Sequence, residues 1–286
     1  MVMSKCVTPE GKNLLPIYEA ADDSMLHWDY RGILFDNNGE VVNFFPIGDK
    51  WVLIYSPYDT IEYFVGHFDI SSLRFTPATH GILSYGYHSQ DNPVDRGFYA
   101  TCLYTEEART VLCGWISGFK SWDLWNGCMG IPRTVGLNPS FQLTQQPIVE
   151  LDNLHDTCIC SFAGERRTEI NFSAPSDMLD ILLEYQYDLQ GEIGLTISEQ
   201  LSLCIAPDGF TINGEHYSCD MQSCGSRLRL LVDRTVAELF FGDGSVCATR
   251  CFDHIGSKPQ IQIVASGEAV LTDLHCHTMN CCNLKF

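Results

Sequence analysis

The chain has 286 residues, of which 45% are hydrophobic, and its 36 acidic residues against 17 basic ones give a formal net charge of −19. A chain this acidic repels phosphate backbones and anionic lipid surfaces, which argues against nucleic acids and membranes as partners. No apolar run approaches the roughly 20 residues that a membrane-spanning helix requires.

The amino-terminal segment, residues 1–6, lacks the long apolar stretch of a secretion signal. As written, the sequence therefore predicts a cytoplasmic chain. An extracellular location would require a longer amino-terminus that carries a signal.

The first half of the chain contains short apolar segments rich in β-branched and aromatic residues, at 50–55, 62–68 and 109–116. Such segments recur at intervals of roughly 8–15 residues, and turn residues such as Asp-Asn-Asn-Gly at 36–39 separate them. This spacing is typical of an all-β fold.

One stretch, residues 147–156, has helical rather than strand character. Pro147 suits a first helical position, and Val149, Leu151 and Leu154 have a spacing that would dock one face. The composition also changes here, since the preceding residues are rich in Trp, Tyr and Gly. We therefore predict three parts: a first domain at 1–146, a linker at 147–157 and a second domain at 158–286.

The second half continues with strand patterns and strong turn signals. Residues 232–241 are either one strand with a polar kink or two abutting strands, and Gly-Asp-Gly at 242–244 is a turn. Two further strands, at 259–264 and 269–276, are joined by a Ser-Gly turn. A β-sandwich fits this part of the chain.

The sequence contains 14 Cys but no CxxC pair, so the usual zinc-finger spacing is absent. Without a secretion signal, reduced thiols are the default. The densest group of metal-binding residue types is His275, Cys276, His277, Cys281 and Cys282. In a strand over 269–278, Leu274 and Cys276 would share one face, and His275 and His277 the other. We favour the outer face of a last strand and predict no metal site.

Four familiar motifs are missing: GxSxG, HExxH, the P-loop and GxGxxG. What remains is carboxylates and aromatic residues on a β scaffold, which are the residue types that a sugar site uses. Cleavage of a glycosidic bond needs two carboxyl groups, one of them held protonated as an acid. Glu40 follows a turn and opens the apolar segment 41–46, whose surroundings would raise the pKa of its carboxyl. The alternative is an ordinary solvated carboxylate at the start of a strand.

Three stretches carry longer motifs in a fixed order. The first is Gly-Glu-Val-Val-Asn-Phe-Phe-Pro at 39–46. The second comprises Gly-Phe-Tyr-Ala at 97–100, Arg-Thr-Val-Leu-Cys-Gly-Trp at 109–115 and Trp-Asn-Gly-Cys-Met-Gly-Ile-Pro-Arg at 125–133. The third is Leu-Val-Asp-Arg-Thr-Val-Ala-Glu-Leu-Phe at 231–240. Together they resemble glycoside hydrolase family 32, the invertases, levanases and inulinases, in its E-C-P-[DN], D-F-Y-A, R-hydrophobic-G-W, W-N-G-x-M-S-L-P-R-E and V-D-R-S-x-V-E-V-F motifs.

The resemblance implies a five-bladed β-propeller followed by a β-sandwich. It also implies a retaining β-fructofuranosidase that hydrolyses terminal fructosyl linkages in sucrose or fructans. The ligand would be a fructose-containing oligo- or polysaccharide, with no metal or organic cofactor. Glu40 takes the position of the general acid/base, and Asn43 fills the slot that orients it. Tyr99 would form a hydrogen bond with the sugar. Trp115 and Trp125 are either pocket walls or part of the blade core, and we favour the core for Trp115.

Several motifs of the family are absent from this sequence. Neither W-M-N-D-P-N-G, which carries the nucleophilic Asp, nor R-D-P occurs. We therefore expect an incomplete propeller that lacks its amino-terminal part and cannot form the covalent intermediate alone. Its open sheet edge would favour self-association. The alternative function is a non-catalytic carbohydrate-binding or partner protein derived from this family.

Individual positions also depart from the motifs. Val41 and Val42 replace the Cys-Pro pair after Glu40, and Gly97 replaces the Asp before Phe-Tyr-Ala. Asp233 and Glu238 match a strong motif, but this motif belongs to the sandwich, so we expect them to have structural roles in a hairpin.

Overall fold

The computed structural model describes residues 1–4, 6–36, 39–57, 59–89, 92–106, 109–119, 126–188 and 190–281. About two thirds of these residues belong to β-strands and very few to helices, which confirms the all-β prediction. Within these ranges the strands form five antiparallel sheets, three before the chain reaches residue 148 and two after it. No helix in the described ranges is long and apolar enough to cross a membrane.

The first part of the chain contains three sheets. The first sheet has three strands in chain order: β1 (Cys6–Val7), β2 (Asn13–Ala20) and β3 (Trp28–Phe35). The second has four strands in chain order: β4 (Glu40–Ile47), β5 (Lys50–Ser56), β6 (Ile61–Asp69) and β7 (Arg74–Ser84). The third has six strands: β8 (Tyr87–Ser89), β9 (Asn92–Glu106), β10 (Arg109–Ser117), β11 (Gly127–Met129), β12 (Arg133–Leu137) and β13 (Leu143–Pro147). Its order is β13-β12-β10-β9-β8, and β11 also pairs with β10.

The second sheet shows why these sequences form blades. Strand β5 lies between β4 and β6, and its Val52, Leu53 and Ile54 are all fully buried. Val52 and Ile54 face one apolar cluster while Leu53 faces another, so neighbouring sheets cover both faces. A four-stranded meander covered on both faces is the unit of a β-propeller. The first part is therefore an incomplete β-propeller, as the sequence predicts.

A 3₁₀ helix, Val149–Leu154, follows β13 and confirms the helical character of this stretch. The predicted docking face is wrong in part, because Val149 is exposed while Leu151 and Leu154 are half-buried. A 3₁₀ helix has three residues per turn, so positions 151 and 154 align and position 149 does not. Pro147 is also not a helical residue, since it ends β13.

The second part of the chain is a sandwich of two six-stranded sheets. Its first six strands are β14 (His155–Arg167), β15 (Glu169–Ser173), β16 (Met178–Gln186), β17 (Glu192–Ile197), β18 (Leu201–Ala206) and β19 (Gly209–Ile212). The next six are β20 (Glu215–Ser218), β21 (Arg227–Asp233), β22 (Val236–Phe241), β23 (Val246–Cys251), β24 (Gln260–Ser266) and β25 (Val270–Met279). A single helical turn, α1 (Met221–Cys224), precedes β21. One sheet has the order β14-β25-β16-β21-β22-β23, and the other β15-β24-β17-β18-β19-β20.

The second part contains the predicted hairpin strands and the predicted turn. Residues 232–241 belong to two strands, β21 and β22, which pair as a hairpin. The Gly-Asp-Gly segment is a turn, in which the Gly244 N–H donates to the Phe241 carbonyl at 2.8 Å. The Ser-Gly segment carries the chain from one sheet to the other, because β24 and β25 belong to different sheets.

Strand β25 separates its side chains as the sequence predicts. Leu274 and Cys276 are fully buried in the sandwich core, whereas His275 is exposed and His277 is half-buried. The described cysteines are all free thiols. Cys282 lies outside the described residues.

A buried ion pair joins the incomplete propeller to the sandwich. Arg133 on β12 donates to Oε2 of Glu238 on β22 at 2.7 Å, and Glu238 Oε1 accepts the Ile131 N–H at 2.7 Å. Both charged side chains are almost fully buried. The guanidinium also donates to Gln145 at 2.9 Å and lies 3.6 Å from the Phe98 ring centroid. The expected hairpin role of Glu238 is therefore wrong in its location, because its partners lie on the incomplete propeller and not in its own hairpin.

Candidate active site

Glu40 begins β4 and lies half-buried opposite Ser56 on β5. The pairing of these two strands is interrupted by a register shift between Glu40 and Asn43. Within it, Val41 has a left-handed φ of 51°, which a β-branched residue rarely adopts. Bulges of this kind re-aim side chains and are frequent beside active sites. The local backbone therefore sets the direction in which Glu40 leaves the sheet.

Asn43 connects the sheet of Glu40 to the next one. Its amide nitrogen donates to the carbonyl of Thr101 at 2.8 Å and to the Thr101 hydroxyl oxygen at 2.9 Å. Thr101 is 1% exposed and lies on β9, two residues after Tyr99. Asn43 thus fixes β4, the strand that begins with Glu40, against β9. Sequence reasoning did not identify Thr101, because nothing local marks it as a partner.

Tyr99 and Trp115 lie directly opposite each other on β9 and β10. Residues opposite each other in an antiparallel pair share a face, so both side chains leave the same side of the sheet. Tyr99 is buried at 9% exposure, whereas Trp115 is 39% exposed. The favoured core position for Trp115 is therefore wrong. A register shift between Cys113 and Trp115 brings the indole to this place, and no sequence pattern reveals such a shift.

Gly127 on β11 explains how the Trp115 indole is accommodated. A Cβ atom at Gly127 would collide with the indole Nε1. The glycine therefore leaves room for the ring to lie across β11. Trp125, the other predicted aromatic wall, lies outside the described residues.

The backbone also accounts for one departure from the family motif. Gly97 has a φ of 114°, in the left-handed region that favours glycine. A Cβ atom there would lie 3.2 Å from the Thr249 carbonyl oxygen. An Asp at this position would have a strained backbone and a crowded Cβ atom, so the backbone conformation here favours glycine.

A second half-buried carboxylate, Glu62 on β6, belongs to the same sheet as Glu40. It accepts a hydrogen bond from the Tyr55 hydroxyl at 2.7 Å and lies 2.7 Å from His80 Nε2. Tyr55 pairs with Glu62, whereas its neighbour Ser56 pairs with Glu40. Since successive strand residues point to opposite faces, Glu62 and Glu40 leave opposite faces of the sheet. Glu62 therefore cannot serve as the second carboxyl of a pair with Glu40.

One group of possible cation ligands occurs in the sandwich part, made of Asp152, His155 and Asp180. Arg229 already donates to Asp152 at 2.5 Å and to Asp180 at 2.6 Å. His155 contacts Asp180 at 2.8 Å and stacks on His277 at 4.2 Å between ring centroids. A single Arg229 guanidinium thus already pairs with both carboxylates.

The described site residues therefore fall on two neighbouring sheets. Glu40 and Asn43 lie on β4, Tyr99 lies on β9 and Trp115 on β10. The Asn43–Thr101 hydrogen bonds bring β4 and β9 together. This contact joins the two sheets through Asn43 and Thr101, and the described contacts do not join Trp115 to Glu40.

Comparison with protein families gives a match over the first part of the chain. The model of the glycosyl hydrolases family 32 N-terminal domain matches residues 1–147, which is just over half of the chain. No curated protein matches the chain.

Several solved structures have the same fold. A Bombyx mori GH32 β-fructofuranosidase superposes with a TM-score of 0.75 at 19% identity, over 94% of this chain and 61% of the other. An exo-inulinase from Aspergillus awamori gives 0.70 at 17% identity, over 97% and 66%. Fructan 1-exohydrolase IIa from Cichorium intybus gives 0.75 at 13% identity, over 94% and 67%. The chain thus spans about three fifths of the length of the silkworm enzyme.

Two further matched structures hold sugars. One is a variant of the silkworm enzyme in complex with sucrose, at 18% identity and a TM-score of 0.75. The other is a fructofuranosidase variant from Schwanniomyces occidentalis complexed with fructosylnystose, at 16% identity and a TM-score of 0.67.

Proposed function

This chain belongs to glycosyl hydrolase family 32, and from that membership we propose that it carries the acid/base part of a retaining β-fructofuranosidase site. The substrate class is a terminal fructosyl unit of sucrose or a fructan. The observation that carries the proposal is the position of Glu40. It begins β4 at a β-bulge inside the matched range, and Asn43 fixes this strand to the strand of Tyr99.

Glu40 would act twice in the reaction. Protonated, it gives its proton to the glycosidic oxygen as the bond from that oxygen to the anomeric carbon breaks. A carboxylate nucleophile bonds to the anomeric carbon and forms a covalent fructosyl intermediate. Ionised Glu40 then takes a proton from water, whose oxygen displaces the nucleophile and releases fructose. We assign no residue of this chain to the nucleophile, because its W-M-N-D-P-N-G motif is not in this sequence.

The aromatic residues would hold the sugar. Trp115 is exposed and shares a face with Tyr99, so its indole offers a flat apolar surface for a ring. The Tyr99 hydroxyl can donate to a sugar oxygen. The sucrose and fructosylnystose complexes of the related structures support a fructose-containing ligand.

An external nucleophile gives a sharp test of the Glu40 assignment. We would measure glucose release from sucrose with and without sodium azide. Azide can bond to the anomeric carbon while Glu40 protonates the departing glucose oxygen, so the products are fructosyl azide and glucose. We expect azide-dependent release, and a loss of about 10²–10⁴-fold in Glu40→Gln.

Glu19→Gln is the matched control, because Glu19 is an exposed strand carboxylate that pairs with Arg31. It should release glucose at the wild-type rate. Equal rates in Glu40→Gln and the wild type would overturn the acid/base assignment.

A second candidate function is fructan binding without cleavage, favoured by the exposed indole of Trp115, which shares a face with Tyr99. Isothermal titration calorimetry with inulin distinguishes the two functions. Saturable binding that Trp115→Ala weakens, with no release in azide, would support this second function. Absence of both binding and release would exclude both.

A further inference from the structure

Two cysteines of the incomplete propeller face each other across a strand pair. Cys102 on β9 lies directly opposite Cys113 on β10. Opposite residues of an antiparallel pair have Cα atoms about 4.5 or 5.5 Å apart and side chains on one face. A disulfide requires Cα atoms about 4.4–6.8 Å apart. The strand pairing is therefore compatible with the Cα separation that a disulfide requires.

The two thiols differ in their access to solvent. Cys102 is exposed, and Cys113 is half-buried. Burial raises the pKa of the Cys113 thiol, and the neighbouring Cys102 raises it further. Because the thiolate is the reactive form, Cys102 is the thiol that meets an oxidant first and Cys113 is the one that resolves it.

We propose that Cys102 and Cys113 form an oxidative modification site, a dithiol that closes to a cross-strand disulfide on reaction with a low-molecular-weight disulfide. The Cys102 thiolate bonds to one sulfur of the small disulfide and displaces the other as a thiolate. The Cys113 thiolate then bonds to Cys102 Sγ and displaces the second small thiolate. Two cysteine thiols are oxidised, one small disulfide is reduced to two thiols, and the cysteine protons pass to the released thiolates.

The sandwich contains a second pair that serves as an internal comparison. Cys160 on β14 also lies directly opposite its partner, Cys276 on β25. Cys276 is fully buried, and this burial raises the pKa of its thiol. Both pairs are directly opposed, but they differ in access to solvent. We therefore expect the small disulfide to oxidise the Cys102 pair of the folded chain and to leave the Cys160 pair reduced.

Cys204 on β18 is the matched single thiol. It is half-buried like Cys113, but its opposite residues are Gly194 and Thr211. It can form a mixed disulfide with the reagent and has no thiol opposite it to displace the reagent.

The experiment is disulfide mapping of the full chain after treatment of the reduced protein with oxidised glutathione. Free thiols are blocked with N-ethylmaleimide before digestion. Trypsin cuts after Arg96, Arg109 and Lys120, so Cys102 and Cys113 fall on the separate peptides 97–109 and 110–120, each with one cysteine. We expect these peptides to be linked, the link to disappear on reduction, and Cys204 to carry at most glutathione.

Two variants test the order of the steps. Cys113→Ser should trap Cys102 as a stable mixed disulfide with glutathione, and Cys102→Ser should leave Cys113 largely blocked by maleimide. Disulfide mapping of the wild-type chain tests the proposal without either variant. Recovery of wild-type Cys102 as free thiol, as a lasting glutathione adduct or linked to another cysteine would overturn the proposal. The readout is independent of sugar cleavage, so failure of the proposed function would not affect it.

Discussion

At the Asn43 side chain, a single amide nitrogen donates both hydrogen bonds that hold β4 against Thr101 of β9. Asn43→Ala leaves two acceptors of the buried Thr101 without this donor. We expect the free energy of unfolding to fall by about 1–3 kcal/mol, the usual cost of a buried polar group left unsatisfied. Urea denaturation followed by circular dichroism measures the change.

Asn171→Ala is the control for this prediction. Asn171 is exposed on β15 and donates to Glu169 at 2.7 Å, so water can replace its partner when the amide is removed. We expect a loss within about 0.5 kcal/mol, as for most surface substitutions. Equal losses in the two variants would mean that the Asn43 hydrogen bonds do not hold the sheets together.

Residue identity alone predicts part of the candidate site. Glu40 and Tyr99 follow from motif order, because each keeps its place relative to neighbouring motif residues. The exposure of Trp115 does not follow, because it depends on a register shift and on the space above Gly127. The partner of Asn43 does not follow either, because it lies 58 residues away on another sheet.

At the scale of single elements, the turn between β6 and β7 depends on one carboxylate. Asp69 accepts hydrogen bonds from the Ser71 hydroxyl at 2.7 Å, the Ser72 hydroxyl at 2.7 Å and the Ser71 N–H at 2.9 Å. These bonds favour the ionised form and lower the pKa of Asp69 to about 2. The ionised carboxylate therefore orders the turn that sets the β6–β7 register.

This shift predicts a pH dependence with a definite sign. An unfolded Asp has a pKa of about 3.9, so the folded chain holds the proton less tightly. The stabilisation is therefore complete above about pH 4 and is lost as the pH falls towards 2. Asp69→Asn carries no charge, so we expect its urea midpoint to lie below that of the wild type at pH 5 and to approach it near pH 2. A constant difference across this range would contradict the assignment.

Local sequence signals predict some of the strand and turn boundaries, and tertiary contacts determine the others. The hairpin of β21 and β22 and the turn at 242–244 follow from local signals, because glycine and polar residues mark them. The bulge at Val41 does not, since a β-branched residue is a poor candidate for positive φ. The pairing of β4 with β5 imposes it.

At the scale of the whole molecule, the order of the motifs predicts an incomplete propeller followed by a sandwich. It does not predict how the two parts are joined. Arg133 and Glu238 are 105 residues apart, and each belongs to a different motif. Their contact depends on the packing of β12 against β22, which no local pattern describes.

The buried Arg133–Glu238 pair therefore gives a test of the junction itself. Glu238→Ala leaves the Arg133 guanidinium buried without its carboxylate and the Ile131 N–H without its acceptor. We expect a loss of about 3–5 kcal/mol in the free energy of unfolding, because an uncompensated buried charge is costly. Urea denaturation, followed by fluorescence and circular dichroism, should also show separate transitions for the two parts.

Two further variants separate the effect of the charge from the effect of the contact. Glu165→Ala removes an exposed partner of Arg167 and should cost at most about 1 kcal/mol. The double variant Arg133→Met, Glu238→Met removes both charges and fills the space with apolar atoms, so it should recover most of the lost stability. Failure of the double variant to recover it would mean that the hydrogen bonds to Ile131 and Gln145, rather than charge balance, hold the propeller to the sandwich.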